Sequence, residues 1–129
     1  MAKKVWIVER WIDRAGMEQT LAELKEYAES AEKEGDVALA AFKDAVVRYH
    51  EKMRQHHDGY WLGYVGRSNY KQFCWDAKES LRYWIKDQHE SADRFRVVEG
   101  YIADDAKQWV NYNVAKINDG VMKYLLATM

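Results

Sequence analysis

Three patterns in the chain predict an α+β fold built on a four-stranded sheet. Two runs, Val5 to Ile12 (VWIVERWI) and Phe95 to Ile102 (FRVVEGYI), are rich in β-branched and aromatic residues and apolar on both faces, as strands inside a sheet are. Between them, apolar residues recur at steps of three and four, the period of a helix. From Tyr60 to Trp75 the sequence alternates on either side of Gly66-Arg67-Ser68-Asn69, as an antiparallel hairpin does.

Taken in order, the strand Val5 to Ile12 ends at a turn over Asp13 to Gly16. From Met17, Leu21, Leu24, Ala28 and Ala31 form a helical stripe, which Gly35-Asp36 can interrupt as a C-terminal glycine followed by a new N-cap. Leu39, Phe42, Val46, Tyr49 and Met53 then make a narrow apolar seam reaching about His56, so this region is one bent helix or a helical hairpin. In the hairpin that follows, Val65 faces Tyr70, Leu62 faces Phe73 and Tyr60 faces Trp75. Tyr60, Leu62, Phe73 and Trp75 would share one apolar face, with Cys74 opposite Trp61. Asp76 and Glu79 have capping-box spacing, which starts a helix near Ala77 with the stripe Leu81, Trp84, Ile85 and Gln88. Ser91 to Asp93 turns the chain into the strand Phe95 to Ile102. Asp104 or Asp105 can cap a last helix through Val110, Val114, Ile117 and Val121, ended early by Asn118-Asp119-Gly120 and followed by a final turn that packs Tyr124 and Leu125. The order β-α-β-β-α-β-α resembles the ferredoxin-like superfold, with a long or split first helix and an extra C-terminal helix. Phe42, Val46 and Trp84 are expected core residues.

At 129 residues the chain is expected to be a single domain, residues 1–129, with a core that needs no disulfide staples. Proline is absent, which implies short loops and mostly regular elements. The net charge of −1 argues against nucleic acid as a partner, because non-specific binding to phosphate backbones draws on a global basic excess. Charge is nevertheless uneven: Glu18, Glu23, Glu26, Glu29, Glu32, Glu34 and Asp36 face only Lys25 and Lys33 between residues 17 and 36. An acidic run of that kind is ordinarily a solvated helix face. The lone Cys74 excludes an internal disulfide framework. With no apolar run near 18 residues, and Lys3 and Lys4 leading straight into a strand, a cytoplasmic protein without a membrane segment is expected.

No catalytic signature is present. His50 and His57 share a helix face, but no cysteine or suitably spaced carboxylate completes a metal site, and histidines at a helix C-terminus are favoured by its dipole. Cys74 has no histidine beside it in sequence, and Gly63 and Gly66 lack the pattern of a phosphate loop. The runs VWIVERWID and FRVVEGYIAD echo each other, so adjacent strands could bring Glu9 and Glu99 together as a carboxylate pair, although Arg10 and Arg96 could equally pair with them. No cofactor or metal is expected.

What remains is a surplus of rings, six Trp and nine Tyr. Trp6, Trp61, Tyr70, Tyr83, Trp109 and Tyr112 fall off the helical stripes or on the far sheet face, and rings are enriched at interface hot spots. They are the expected protein-binding patch, with Glu23, Glu26 and Glu29 as an acidic complement. The opening MAKKVWIVERW and the unit SLRYWIKDQ to RFRVVEGY resemble, in style and not by motif, the small accessory proteins that bacteriophages use to modify host functions. That resemblance implies a non-catalytic protein-binding module, an inhibitor of a host or defence protein. The alternatives are a nucleic-acid or nucleotide binder stacking bases on sheet aromatics, or a small enzyme using His50 and His57 or Glu9 and Glu99. Because both long strands are apolar on two faces, a homodimer or another protein is expected to cover the second face.

Overall fold

The computed structural model describes residues 2–103 and 111–129. Its elements are β1 (Lys3–Asp13), α1 (Arg14–Glu34), α2 (Leu39–Gln55), β2 (Gly59–Arg67), α3 (Tyr70–Leu81), β3 (Phe95–Ile102), β4 (Asn113–Ile117) and α4 (Asp119–Thr128). A π-helical turn, Arg82–Asp87, extends α3, and a short 3₁₀ turn, Ala92–Arg94, precedes β3. The four strands form one sheet in the order β2-β1-β3-β4, with β3 antiparallel to both its neighbours. Contacts divide the chain into two compact units, one made of residues 1–11 and 61–129, the other of residues 12–60.

The α+β class and the four strands agree with the expectation, but the order β-α-α-β-α-β-β-α does not, and it is not that of a ferredoxin-like chain. Two expected elements changed type. Tyr70–Leu81 is a helix and not the second hairpin strand, because the Asn69 side chain accepts a hydrogen bond from the Gln72 amide as an N-cap. Phe73, Cys74, Ala77 and Leu81 then fall on one buried helical face, while Trp75 points to solvent instead of sharing a face with Phe73. Asp76, the expected cap, lies inside α3 and holds Arg67 and Gln72. The second change is at the C-terminus: Val114 and Ile117 lie on β4, and Asn118 starts α4 by accepting from the Val121 amide. The expected caps Asp104 and Asp105, with Val110, lie outside the described residues.

In the unit formed by residues 12–60, Asp13 caps α1 through the Gly16 amide. Gly35 ends it at φ 65°, a left-handed conformation that glycine adopts without steric cost. The long helical region is therefore two helices. They pack on each other through rings such as Tyr27 and Phe42, 5.9 Å apart. Along α2 only Met53 is buried; Phe42 and Val46 are half-buried, less than a core position would be.

In the other unit, α3 and α4 cover one sheet face. Phe73, Cys74, Ala77, Leu81, Met122 and Leu125 pack against Val8, Phe95 and Val97. On the opposite face Val5, Ile7, Val98 and Ile102 form a second apolar cluster edged by Tyr112. All four are buried within the single chain, which removes the physical ground for requiring a second copy. Between Glu99 and Gly100 the β3–β4 register shifts, and a Cβ on Gly100 would lie 2.7 Å from the Asn113 carbonyl oxygen.

Candidate functional site

The β1–β3 register fixes where the chemistry-bearing side chains go. Glu9 stands opposite Arg96 and Trp6 opposite Glu99. Opposite residues share a face and alternate residues along a strand do not, so Glu9 and Glu99 project from opposite faces. They cannot act as one carboxylate pair. Each has its own cations. Glu9, only 3% exposed, accepts from Arg96 at 2.7 Å and from the Tyr112 hydroxyl. Arg96 in turn lies 4.2 Å over the Trp61 ring, which packs edge-on against Trp11. Burial, together with the hydrogen bond to Glu9, raises the Tyr112 phenol well above its ordinary value. Glu99 takes Lys4 at 2.5 Å, Asn118 at 3.0 Å and Lys116 at 3.8 Å. Its pKa is lowered, first by the Lys4 hydrogen bond, rather than raised as a shared proton would require.

These polar clusters also separate the expected aromatic patch. Trp6 is half-buried against Tyr70, ring centroids 5.1 Å apart, on the face that carries α3 and α4. Trp61 and Tyr112 belong with Glu9 and Arg96 on the other face. Tyr83 is exposed and edges Trp84, which lies beneath the Arg10 guanidinium at 4.4 Å and beside Tyr64. Arg10 also pairs with Glu90. Trp109 lies outside the described residues. Glu23, Glu26 and Glu29 are exposed along α1. Trp6 and Tyr70 meet, whereas Trp61 and Tyr112 lie on the opposite sheet face, so the expected patch is divided.

A surface that strand-based reasoning missed lies on α3. Trp75, the most exposed Phe, Tyr or Trp among the described residues at 66%, projects from its outer side, and Tyr124 of α4 is 48% exposed. Tyr70 falls in line with Phe73, Ala77 and Leu81 and packs on Trp6. Lys71, Trp75, Lys78 and Arg82 follow one another at steps of four, three and four, which aligns them along a single helix face. Trp75, Lys78, Glu79 and Arg82 line a shallow hollow of about 140 Å³. The Lys78 ammonium lies 5.4 Å over the Tyr124 ring. Among the described residues, Lys71, Lys78 and Arg82 form no ion pair, whereas nearby Asp76 is committed to Arg67 at 2.7 Å and its pKa is lowered by that bond. The outer face of α3 is thus a ring set among three cations and one carboxylate, Glu79. The 4-3-4 spacing was visible in the sequence, but only a helical reading of Tyr70 to Leu81 brings it out.

Among the described residues, no three His, Cys, Asp or Glu side chains are placed to hold a metal ion, and no helix is long and apolar enough to cross a membrane. His50 and His57 do come together, lining one hollow with Arg14 and Arg54. Cys74 is buried on α3 between helix and sheet, not on a strand opposite Trp61. The neighbouring Cys74 side chain, together with burial, raises the Tyr70 phenol. No protein-family model, curated protein or solved structure matches this chain.

Proposed function

We propose that this chain is a non-catalytic module that binds an acidic surface of another protein through the outer face of α3, with Trp75 as the anchor. The observation that carries the reading is Trp75 itself, a large ring left in solvent on a helix whose opposite side is core, flanked by Lys71, Lys78 and Arg82, which form no ion pair among the described residues, with Glu79 alongside. Trp and Arg are enriched among interface hot spots, and uncompensated cations set both the partner's charge and the rate of encounter. Tyr124, beneath Lys78, extends the contact. The similarity in style to small bacteriophage accessory proteins makes a host or defence protein the partner class to try first, with inhibition as the consequence of occupying its acidic surface. Glu23, Glu26 and Glu29 would then form a separate solvated face.

The same ring and cations favour one other reading, a single-stranded nucleic acid that stacks a base on Trp75 and neutralises phosphates with Lys71, Lys78 and Arg82. Affinity capture from a nuclease-treated bacterial lysate separates the two. A stoichiometric protein retained by the native chain, and lost with both Trp75→Ala and Lys78→Glu, supports the first reading. Bound material that is nucleic acid, released steeply as salt rises, supports the second. Trp75→Ala should alter folding stability by no more than about 0.5 kcal/mol, since an exposed ring holds little of the core together. Undiminished capture by that variant would remove the anchor and the proposal with it.

A further inference from the structure

A second feature lies in the unit of residues 12–60 and does not depend on the α3 surface. Arg14 of α1, His50, Met53 and Arg54 of α2, and His57 just beyond it line one hollow of about 460 Å³. Four of the five lining side chains carry nitrogen donors, and none is acidic, in a chain with 20 basic residues against 21 acidic ones. The other two described hollows each include a glutamate, Glu29 in one and Glu79 in the other.

The acids nearby lie outside the lining and hold only part of each donor set. Glu18 takes the Arg14 Nε at 3.6 Å, Glu51 takes one Arg54 Nη at 2.6 Å, and Asp58 takes the His57 Nδ1 at 3.3 Å. Arg14 also donates through Nη1 to the Met53 carbonyl at 3.3 Å, which ties the start of α1 to the end of α2. A guanidinium has five N–H donors in a fixed fork and an imidazole two ring nitrogens, so donors remain on Arg14, Arg54 and His57 after these bonds. His50 has no hydrogen-bond partner among the described residues. None of these three carboxylates lines the hollow.

We infer that this hollow is a site for the phosphate or diphosphate group of a small phosphorylated molecule, held by Arg14 and Arg54 with His50 and His57 as further donors. A carboxylate brings two oxygens and one negative charge, whereas a phosphate group brings three acceptor oxygens and a charge of about −1.5 to −2, and a diphosphate more, a closer match to two guanidinium groups and two imidazoles. The volume falls within the range of small-molecule sites, about 300 to 1,000 Å³, so the hollow can take more than the anion alone. Met53 supplies an apolar wall.

Calorimetric titration of the full chain with inorganic pyrophosphate at low ionic strength tests the site. One saturable event with a dissociation constant of about 0.1 to 1 mM is expected, weakened about five- to tenfold in Arg54→Gln and further when His50→Asn is added. Arg54 is the better first variant, because among the described residues its guanidinium bonds only Glu51, on its own helix, so the fold should survive the change. The triple variant Lys71→Gln, Lys78→Gln, Arg82→Gln should bind pyrophosphate as the native chain does. Absence of saturable binding up to about 10 mM would overturn the inference. So would undiminished binding in Arg54→Gln with His50→Asn, or an equal loss in the α3 triple variant, which would mark diffuse charge attraction and not a site.

Discussion

At the residue scale, the buried and half-buried carboxylates set the response to acid. Glu99 and Asp76 both have lowered pKa values in the fold, Glu99 chiefly through Lys4 and Asp76 chiefly through Arg67. A depressed carboxyl pKa contributes stability that is present above the unfolded value, about 4, and is lost as pH falls through the folded value. Urea denaturation followed from pH 6 downwards should therefore show stability falling below about pH 4, with a shallower fall in Glu99→Gln. An unchanged slope in that variant would mean that the Lys4–Glu99 pair contributes nothing. The core is also a residue-scale matter. Phe73 and Leu81 are fully buried, so truncation to Ala should cost about 3 to 5 kcal/mol at Phe73 and about 2 to 5 at Leu81. Half-buried Phe42 should cost less than about 2 kcal/mol, because part of its ring is already in water. Equal losses at Phe73 and Phe42 in chemical denaturation would contradict this division of the core.

At the element scale, three local devices decide what each segment becomes. The Asn69 side chain bonds the Gln72 amide and so commits Tyr70–Leu81 to a helix; Asn69→Ala should lower stability by about 1 kcal/mol in denaturant titration. Gly100 lets β4 approach β3 at the register shift, where any side chain would press on the Asn113 carbonyl. Gly100→Ala should cost about 1 to 3 kcal/mol and speed hydrogen exchange along β4, since the strand rather than a flexible side chain has to move. Asn118 shows how local signals can be misread. Asn-Asp-Gly ends a helix as readily as it begins one, and here Asn118 caps α4 while Val114 and Ile117 before it lie on an exposed edge strand.

At the scale of the whole molecule, the two apolar faces of the sheet are both accounted for within one chain. The helices α3 and α4 bury Val8, Phe95 and Val97, while Val5, Ile7, Val98 and Ile102 are buried on the far side. Light scattering at micromolar concentration should accordingly give the mass of one chain. A stable dimer that dissociates on Trp75→Ala would show instead that the α3 face serves self-association. The two surfaces left with unspent chemistry, the α3 face and the hollow around Arg54, should respond to separate variants, as expected of sites on different units.

The sequence by itself determined the two central strands. Val5 to Ile12 and Phe95 to Ile102 are apolar on both sides, which only an interior strand satisfies, and β1 and β3 are the two central strands. It marked Gly35 as a place where a helix can end but left one bent helix or two open; the structure breaks the region there, with Gly35 in a left-handed conformation free of Cβ strain. Tertiary structure decided the rest, because short segments with mixed periodicity fit two templates. Tyr70 to Trp75 alternates as a strand would, yet Phe73 with Ala77 and Leu81 makes a helical face, and the sheet surface offered by Val8 and Val97 gives that face somewhere to be buried. The functional consequence follows from that choice. A strand would have turned Trp75 toward the core with Phe73, whereas the helix places it in solvent among Lys71, Lys78 and Arg82. Pairing register, a non-local property, sent Glu9 and Glu99 to opposite faces and ended their candidacy as a pair.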